Sequence, residues 1–264
     1  MGAAERLLGG PAARAALLAL FLAAWELGTR RGWLSTFFVS SPSEVVAVLS
    51  RWVAEGRVLG NLLLTLHEAA LGYAIGVALG TGLGLLLTFL PRAALVLDPF
   101  LVLMNSFPRL TLAPLFIVWF GFGALPKIAL VTVFILFICL FNTYRGAQEV
   151  EGELLDRARL WGASRWDLLE SIYLPATMSW IMTGLRASVG FALVGAVVGE
   201  YIGGDAGIGF LIHQGQTRLR MREVLAGLTL LLAIAAVIDA ALRRLESRSL
   251  AWRPAAARDH GPSV

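Results

Sequence analysis

The sequence predicts an all-α fold, a polytopic membrane bundle of six transmembrane helices with one large cytoplasmic loop. The first observation is composition: 58% of the 264 residues are hydrophobic and 15% are charged, whereas about a quarter of the residues of a soluble domain are charged. The second is the spacing of the charges, since residues 69–90, 110–126 and 128–144 contain no Asp, Glu, Lys or Arg. Apolar stretches of this length can cross a bilayer as helices.

The same composition excludes several classes of protein. Disorder requires low hydrophobicity and high charge, and the single cysteine, Cys139, excludes a disulfide scaffold. A net charge of +4 without a long basic tract gives no reason to expect nucleic acid as a partner. Lys127 is the only lysine and lies between Pro126 and Ile128, so the chain has no P-loop. If ATP drives the protein, another subunit binds it.

Six spans are predicted in one transmembrane domain that covers residues 1–264. They lie near residues 12–28, 61–88, 94–120, 125–146, 175–200 and 223–243. An even number of spans puts both termini on one side of the membrane, and the distribution of arginines favours the cytoplasm. The first segment could instead be a cleaved signal peptide, but Glu26 follows it without a clear small-residue cleavage site, so a retained helix is predicted.

The connection after the first span is predicted to contain an amphipathic helix on the outer membrane interface. Its start resembles a capping box, with Ser41 at the N-cap, Pro42 at the first helical position and Glu44 at the third. The predicted apolar face consists of Val45, Val46, Val48, Leu49, Trp52 and Val53.

The next two spans have distinct local features. The second span carries glycine at positions 72, 76, 80 and 84, and small residues at four-residue spacing let two helix backbones pack closely. The third span is interrupted by Pro108 and Pro114, which break the helical hydrogen bonding. Such a break is tolerated at membrane depth where protein or water surrounds it. The break marks a candidate pore lining, although a kinked helix packed in the bundle would explain the two prolines equally well.

The loop of residues 149–175 is predicted to form two short helices that meet at an elbow. Leu154, Leu155, Ala158 and Trp161 share one face of the first helix. Gly162 would end that helix, and Ser164 with Asp167 would cap the second. Leu168, Leu169 and Ile172 form the next apolar face, and Pro175 is predicted to begin the fifth span. A solvated charged linker would not need these apolar faces.

This loop resembles the EAA loop of ABC importer permeases, whose pattern is Glu-Ala-Ala, then Gly, then Ile-x-Leu-Pro. Ala158, Gly162 and the Ile172–Pro175 segment match, whereas Asp156 replaces the usual Glu and Arg157 the usual Ala. Other segments are similar to the nitrate, sulfonate and taurine branch of these permeases. They are Ser41–Glu44, Leu97–Pro99, Pro114–Leu115, Trp119–Gly121, Gly199–Glu200 and Gly207–Gly209.

The resemblance implies an importer of the bacterial cytoplasmic (inner) membrane with several subunits. This chain would pair with a second permease copy, as a homodimer, and would work with two cytosolic ATPases and an extracytoplasmic binding protein. The ATPase-coupling residues would be Asp156, Ala158, Trp161, Gly162, Ala163, Leu174 and Pro175. The chain itself would need no cofactor, because the ATPase binds the ATP. The expected solute is a small anion such as a sulfonate, taurine or nitrate, and a pyrimidine precursor of thiamine is the alternative.

Charged and polar residues at membrane depth are candidates for the translocation path. They are Asn105, Ser106, Arg109, Arg186 and Glu200. Arg109 would attract an anionic solute, or it would instead neutralise Glu200 or Glu68 and hold the bundle together. Arginines at 218, 220 and 222 would face outside, where they could contact an acidic lobe of the binding protein or lipid headgroups.

Two other functions remain as alternatives. An intramembrane enzyme would need a catalytic group or a metal site, and the sequence has neither a His-Glu-x-x-His nor a Gly-x-Ser-x-Gly motif. No catalytic or metal-binding residue is therefore predicted. A proton- or sodium-coupled carrier would use the membrane-embedded charges for coupling and would not need the EAA-like loop.

Overall fold

The computed structural model describes residues 11–249, which are almost entirely helical. The helices in chain order are α1 (Pro11–Arg30), α2 (Thr36–Val39), α3 (Pro42–Ala54), α4 (Arg57–Phe89), α5 (Pro91–Ser106), a 3₁₀ turn (Arg109–Leu112), α6 (Ala113–Phe120), α7 (Ala124–Gln148), α8 (Gly152–Leu160), α9 (Arg165–Leu168), a π turn (Leu169–Tyr173), α10 (Leu174–Gly203), α11 (Ile208–Thr217) and α12 (Met221–Ser249). The all-α prediction is confirmed for the described residues.

Helix α7 is the centre of the bundle, and α4 and α10 pack along it. Leu130, Val131 and Ile135 of α7 are fully buried in the main apolar core. The predicted glycine stripe of α4 makes this contact: a Cβ atom at Gly76 would lie 2.7 Å from Cβ of Ile135 and 2.8 Å from the carbonyl oxygen of Thr132. The other glycines of the stripe, Gly72, Gly80 and Gly84, approach α7 in the same way. The absence of side chains therefore lets the two backbones touch.

The predicted count of six spans is not confirmed. Four helical segments of the described residues are long and apolar enough to cross a membrane, and the bent α5–α6 pair would make five. Helix α1 forms where the first span is predicted, but it is not among those segments. Arg14 and Glu26 lie near its two ends.

The predicted break in the third span is present, and it is larger than a kink. α5 ends at Ser106, and after Pro108 the chain makes a 3₁₀ turn before α6 begins at Ala113. The two halves are bent by 88°. This geometry is that of a broken span or a re-entrant segment rather than a single kinked helix.

Helix α3 packs against the bundle rather than lying with its whole apolar face on the membrane interface. Val45, Val48 and Trp52 are buried in a cluster with Leu211 and Ala226, whereas Val46 and Val53, predicted on the same face, are exposed. The predicted capping box is half formed. The Glu44 backbone N–H donates to Ser41 Oγ, but the Glu44 carboxylate accepts from Ser40 Oγ instead of from the N-cap backbone.

Candidate functional site

The elbow of the 149–175 loop is built by a helix end that requires glycine. Gly162 adopts φ +86°, a left-handed conformation that side chains disfavour. Its N–H donates to the carbonyl of Arg159 at 2.9 Å, and the N–H of Ala163 donates to the carbonyl of Ala158 at 3.0 Å. These two bonds form a Schellman motif, which ends α8 and turns the chain.

The second half of the elbow is fixed by a full capping box. Asp167 N–H donates to Ser164 Oγ at 3.2 Å, and Ser164 N–H donates to the Asp167 carboxylate at 2.8 Å. The helix of the fifth span does not begin at Pro175, because α9, the π turn and α10 form one continuous helical segment. Pro175 has no N–H to donate, and the Leu174 N–H bonds to the carbonyl of Leu169, five residues back. This π turn carries the helix past the proline.

The inner face of the loop is anchored to the ends of the membrane helices. Leu168 and Tyr173 are buried with Ala147 of α7, and Leu155, Ala158, Ala163 and Ile172 pack around them. The Tyr173 ring makes an edge contact with Phe89 at the end of α4, with ring centroids 5.3 Å apart. A cavity of about 550 Å³ lies between the loop and the ends of α4, α5 and α7, with Asp98 and Tyr144 in its lining. The loop therefore packs on the ends of α4 and α7 and borders this cavity.

The outer face of the elbow exposes large apolar side chains. The exposed fraction is 84% for Leu160, 90% for Trp161 and 68% for Trp166. The prediction that Trp161 shares the face of Leu155 and Ala158 is wrong. Helix α8 ends at Leu160, and Trp161 turns away from the packed side. Large apolar side chains on a rigid turn in a charged loop form a surface that a partner protein can cover.

The remaining predicted coupling residues flank this surface. Asp156 is exposed and forms a 3.1 Å ion pair with Arg159, and Arg157 pairs with Glu153 at the same distance. Such exposed pairs contribute little to stability. Asp156 and Arg157 both lie within α8, so the two departures from the EAA pattern do not interrupt this helix. Leu174 and Pro175 are exposed at the start of α10.

The predicted path residues are not gathered into one site. Arg109 lies at the bend between α5 and α6, where its guanidinium donates to Asn105 Oδ1 at 3.0 Å and lies 5.3 Å from the ring centroid of Phe137. Ser106 donates to the carbonyl of Val102. Arg186 is exposed on α10, and Glu200 is fully buried near the end of the same helix.

The alternative that Arg109 neutralises Glu68 or Glu200 is wrong. Glu68 pairs with Lys127, whose Nζ lies 2.9 Å from Glu68 Oε1. Glu200 accepts hydrogen bonds from Thr65 Oγ1 at 2.6 Å and from the Gly209 N–H at 2.8 Å. Sequence reasoning places Lys127 near the outer start of the fourth span and gives it no partner, although an only lysine beside a long apolar run is an unusual feature.

The chain matches known proteins over most of its length. Residues 76–250 match the family described as binding-protein-dependent transport system inner membrane component. A Bacillus subtilis (strain 168) protein, SsuC, named for the transport of aliphatic sulfonates, is 32% identical over 90% of this chain and 86% of its own length. A Halalkalibacterium halodurans permease, ThiX, named for the transport of formylaminopyrimidine, is 28% identical over 89% of this chain and 93% of its own length.

One solved structure supports the fold independently. A chain of the MetNI methionine ABC transporter in an inward-facing conformation has a TM-score of 0.62 to this chain. The alignment covers 73% of this chain and 95% of that chain at 17% sequence identity. At this identity the likeness concerns the arrangement of helices alone.

Proposed function

Since the chain belongs to the family of binding-protein-dependent transport system inner membrane components, and is therefore a permease subunit of an ABC importer, we propose that its solute is a small organic sulfonate. The relative named for aliphatic sulfonates has the higher identity of the two curated proteins compared above. The observation in this chain that carries the proposal is the set of contacts made by the Arg109 guanidinium. Its guanidinium contacts an amide and an aromatic ring, and in the described part of the chain no carboxylate pairs with it.

Arg109 is suited to meet an anion for two reasons. The Nε atom of its guanidinium is buried without a hydrogen-bond acceptor, and a planar guanidinium binds oxyanions through two parallel donors. The residue lies at the 88° bend, where backbone leaves the helical pattern as it does beside a water-filled path. Asn105 then holds the guanidinium in place until an anion arrives. Ser106 and Arg186 remain secondary candidates for the same path, whereas Glu200 is fully buried and accepts hydrogen bonds from Thr65 and Gly209.

The outer face of the elbow is proposed as the surface that the ATPase contacts. Leu160, Trp161 and Trp166 would insert into a groove of the ATPase, and aromatic anchors of this kind carry most of the binding energy of protein interfaces. The chain has no P-loop of its own, so it acts without catalysing ATP hydrolysis. We propose an assembly of two permease copies, two ATPases and one binding protein, in which movement of the elbow tilts α4, α7 and α10 as a unit.

The same proposal places both termini in the cytoplasm. With the α5–α6 pair counted as one span, this requires α1 to cross the membrane as the sixth. Helix α1 has 20 residues, which corresponds to about 30 Å, the thickness of the hydrocarbon core. Fusion of a reporter enzyme to the N-terminus and to residue 33 tests this topology. Opposite locations of the two reporters are expected, whereas the same location would remove α1 from the spans.

The solute is tested by reconstituting the permease with its ATPase and binding protein in proteoliposomes. ATP-dependent uptake of an alkanesulfonate is expected, and Arg109→Gln should reduce it about tenfold or more, since a hydrogen bond to a charged group contributes about 1.5–3 kcal/mol. Arg109→Lys is the matched control and should retain more uptake. Uptake of formylaminopyrimidine instead of sulfonate, with no effect of Arg109→Gln, would overturn the proposal.

A further inference from the structure

Three charged side chains meet at the end of the bundle opposite the 149–175 loop. Glu68 of α4, Lys127 of α7 and Glu200 of α10 come from three different membrane helices, and none is more than 2% exposed. Lys127 forms an ion pair with one oxygen of Glu68. Charged groups buried at membrane depth are costly unless they are neutralised by partners, so the balance of charge in this cluster has structural consequences.

Glu200 is held by neutral donors rather than by a cation in direct contact. Thr65 donates to its first oxygen, and the backbone N–H of Gly209, in the first turn of α11, donates to its second. Gly207 lies against this carboxyl group, where a side chain would not fit. The carboxyl group therefore caps the start of α11 from another helix and cannot move away to solvent.

The second oxygen of the Glu68 carboxyl group has no hydrogen-bond partner. Oε2 is buried and receives no hydrogen bond, which is costly for a carboxylate oxygen. Glu200 is the neighbouring carboxyl group, since Thr65, three residues before Glu68 on α4, donates to it. The other charged groups that act on the pair are Lys127 and, from the loop after α10, Asp205. Two carboxylates and one ammonium would leave a net negative charge in this buried site, and Asp205 would add to the repulsion.

We propose that Glu68 and Glu200 hold one proton between them. The protonated carboxyl of Glu200 would donate to Oε2 of Glu68 and so supply the missing hydrogen bond. With this proton the three side chains sum to zero charge, and every oxygen of the pair has a partner. The site is a proton-binding site that permeation of a sulfonate does not require, and it stands independently of the proposed solute.

Infrared difference spectroscopy tests the proton directly, because the carbonyl stretch of a protonated acid is separate from the stretches of a carboxylate. The full chain is reconstituted in lipid nanodiscs at neutral pH, and spectra are recorded for the unmodified chain and for Glu200→Gln. The spectrum of the unmodified chain should contain the carbonyl band of a protonated acid, and this band should shift in D₂O. The spectrum of Glu200→Gln should lack it, so the band should appear in the difference between the two spectra. Glu68→Gln should lose the same band, since Glu200 can then ionise beside Lys127.

The control is Glu223→Gln, which alters another buried glutamate that already has an ion-pair partner in Arg220. This difference should contain carboxylate bands only. If Glu68→Gln fails to fold because Lys127 loses its partner, Glu200→Gln decides alone, since it keeps the Lys127–Glu68 pair. Carboxylate bands without an acid band in the Glu200→Gln difference would overturn the proposal and would mean that water or a cation fills the site.

Discussion

Nζ of Lys127 lies 2.9 Å from Oε1 of Glu68, and both side chains are inaccessible to solvent. The pair joins α7 to α4 at the end where the glycine stripe of α4 begins. It also explains why the only lysine of the chain is not a surface residue. The ammonium neutralises a carboxylate that would otherwise be buried alone.

Lys127→Met should therefore strongly destabilise the chain. Removal of one partner of a buried pair costs about 3–5 kcal/mol, because the other charge stays behind. The double variant Lys127→Met with Glu68→Gln should recover much of this loss, since neither charge remains. The measurement is the thermal unfolding midpoint of each variant in detergent micelles. A double variant as unstable as Lys127→Met would contradict a direct partnership of the two residues.

The glycine stripe gives a prediction with an internal control. Gly76→Leu should destabilise the chain by about 1–3 kcal/mol, the usual cost of overpacking, because its Cβ would press on Ile135 and Thr132 of α7. Gly82→Leu on the same helix should have little effect, since a Cβ there meets nothing within 4 Å. The comparison uses the unfolding midpoints of the two variants, and equal midpoints would refute the close α4–α7 contact.

Gly162 should be sensitive to conformation rather than to size. No atom lies within 4 Å of a Cβ built there, but φ is +86°, which costs other residues about 1–2 kcal/mol. Gly162→Val should disturb the elbow and weaken copurification with the ATPase, because Val disfavours the left-handed conformation. Asn and Asp both tolerate this conformation, so Gly162→Asn should retain binding. Gly162→Asp should abolish binding through the negative charge that it adds to the proposed contact surface, while the chain still inserts in the membrane. Normal substrate-stimulated ATP hydrolysis by Gly162→Asp would remove the elbow from coupling.

Features encoded by neighbouring residues were predictable from the sequence. Gly162, Ser164 and Asp167 lie within six residues of one another, and their turn and cap follow from local backbone rules. The stripe of α4 was predicted because a four-residue period indicates a contact face, and the break at Pro108 because proline cannot continue a helix. These features needed no knowledge of the rest of the chain.

Features that depend on distant residues were not predictable. The partner of Lys127 lies 59 positions away, and periodicity carries no signal for such a pair. The same holds for Thr65, which reaches Glu200 across 135 positions. The 88° bend depends on how α5 and α6 pack, whereas the prolines predict only that the helix is interrupted. Trp161 was assigned to the packed face because helical periodicity was extended one residue beyond the end of α8.

The central claim is that the elbow of Trp161 and Gly162 is the surface through which an ATPase drives this permease, and site-specific cross-linking tests it. Cys139 is buried and is the only cysteine, so Cys139→Ala provides a background for Trp161→Cys. Trp33→Cys is the control, because Trp33 is 73% exposed in the connection between α1 and α2, which the proposed topology places outside. We expect a short bifunctional reagent to join position 161, but not position 33, to the ATPase in an assembled, transporting complex. A complex that transports normally but gives no cross-link from position 161 would contradict the account.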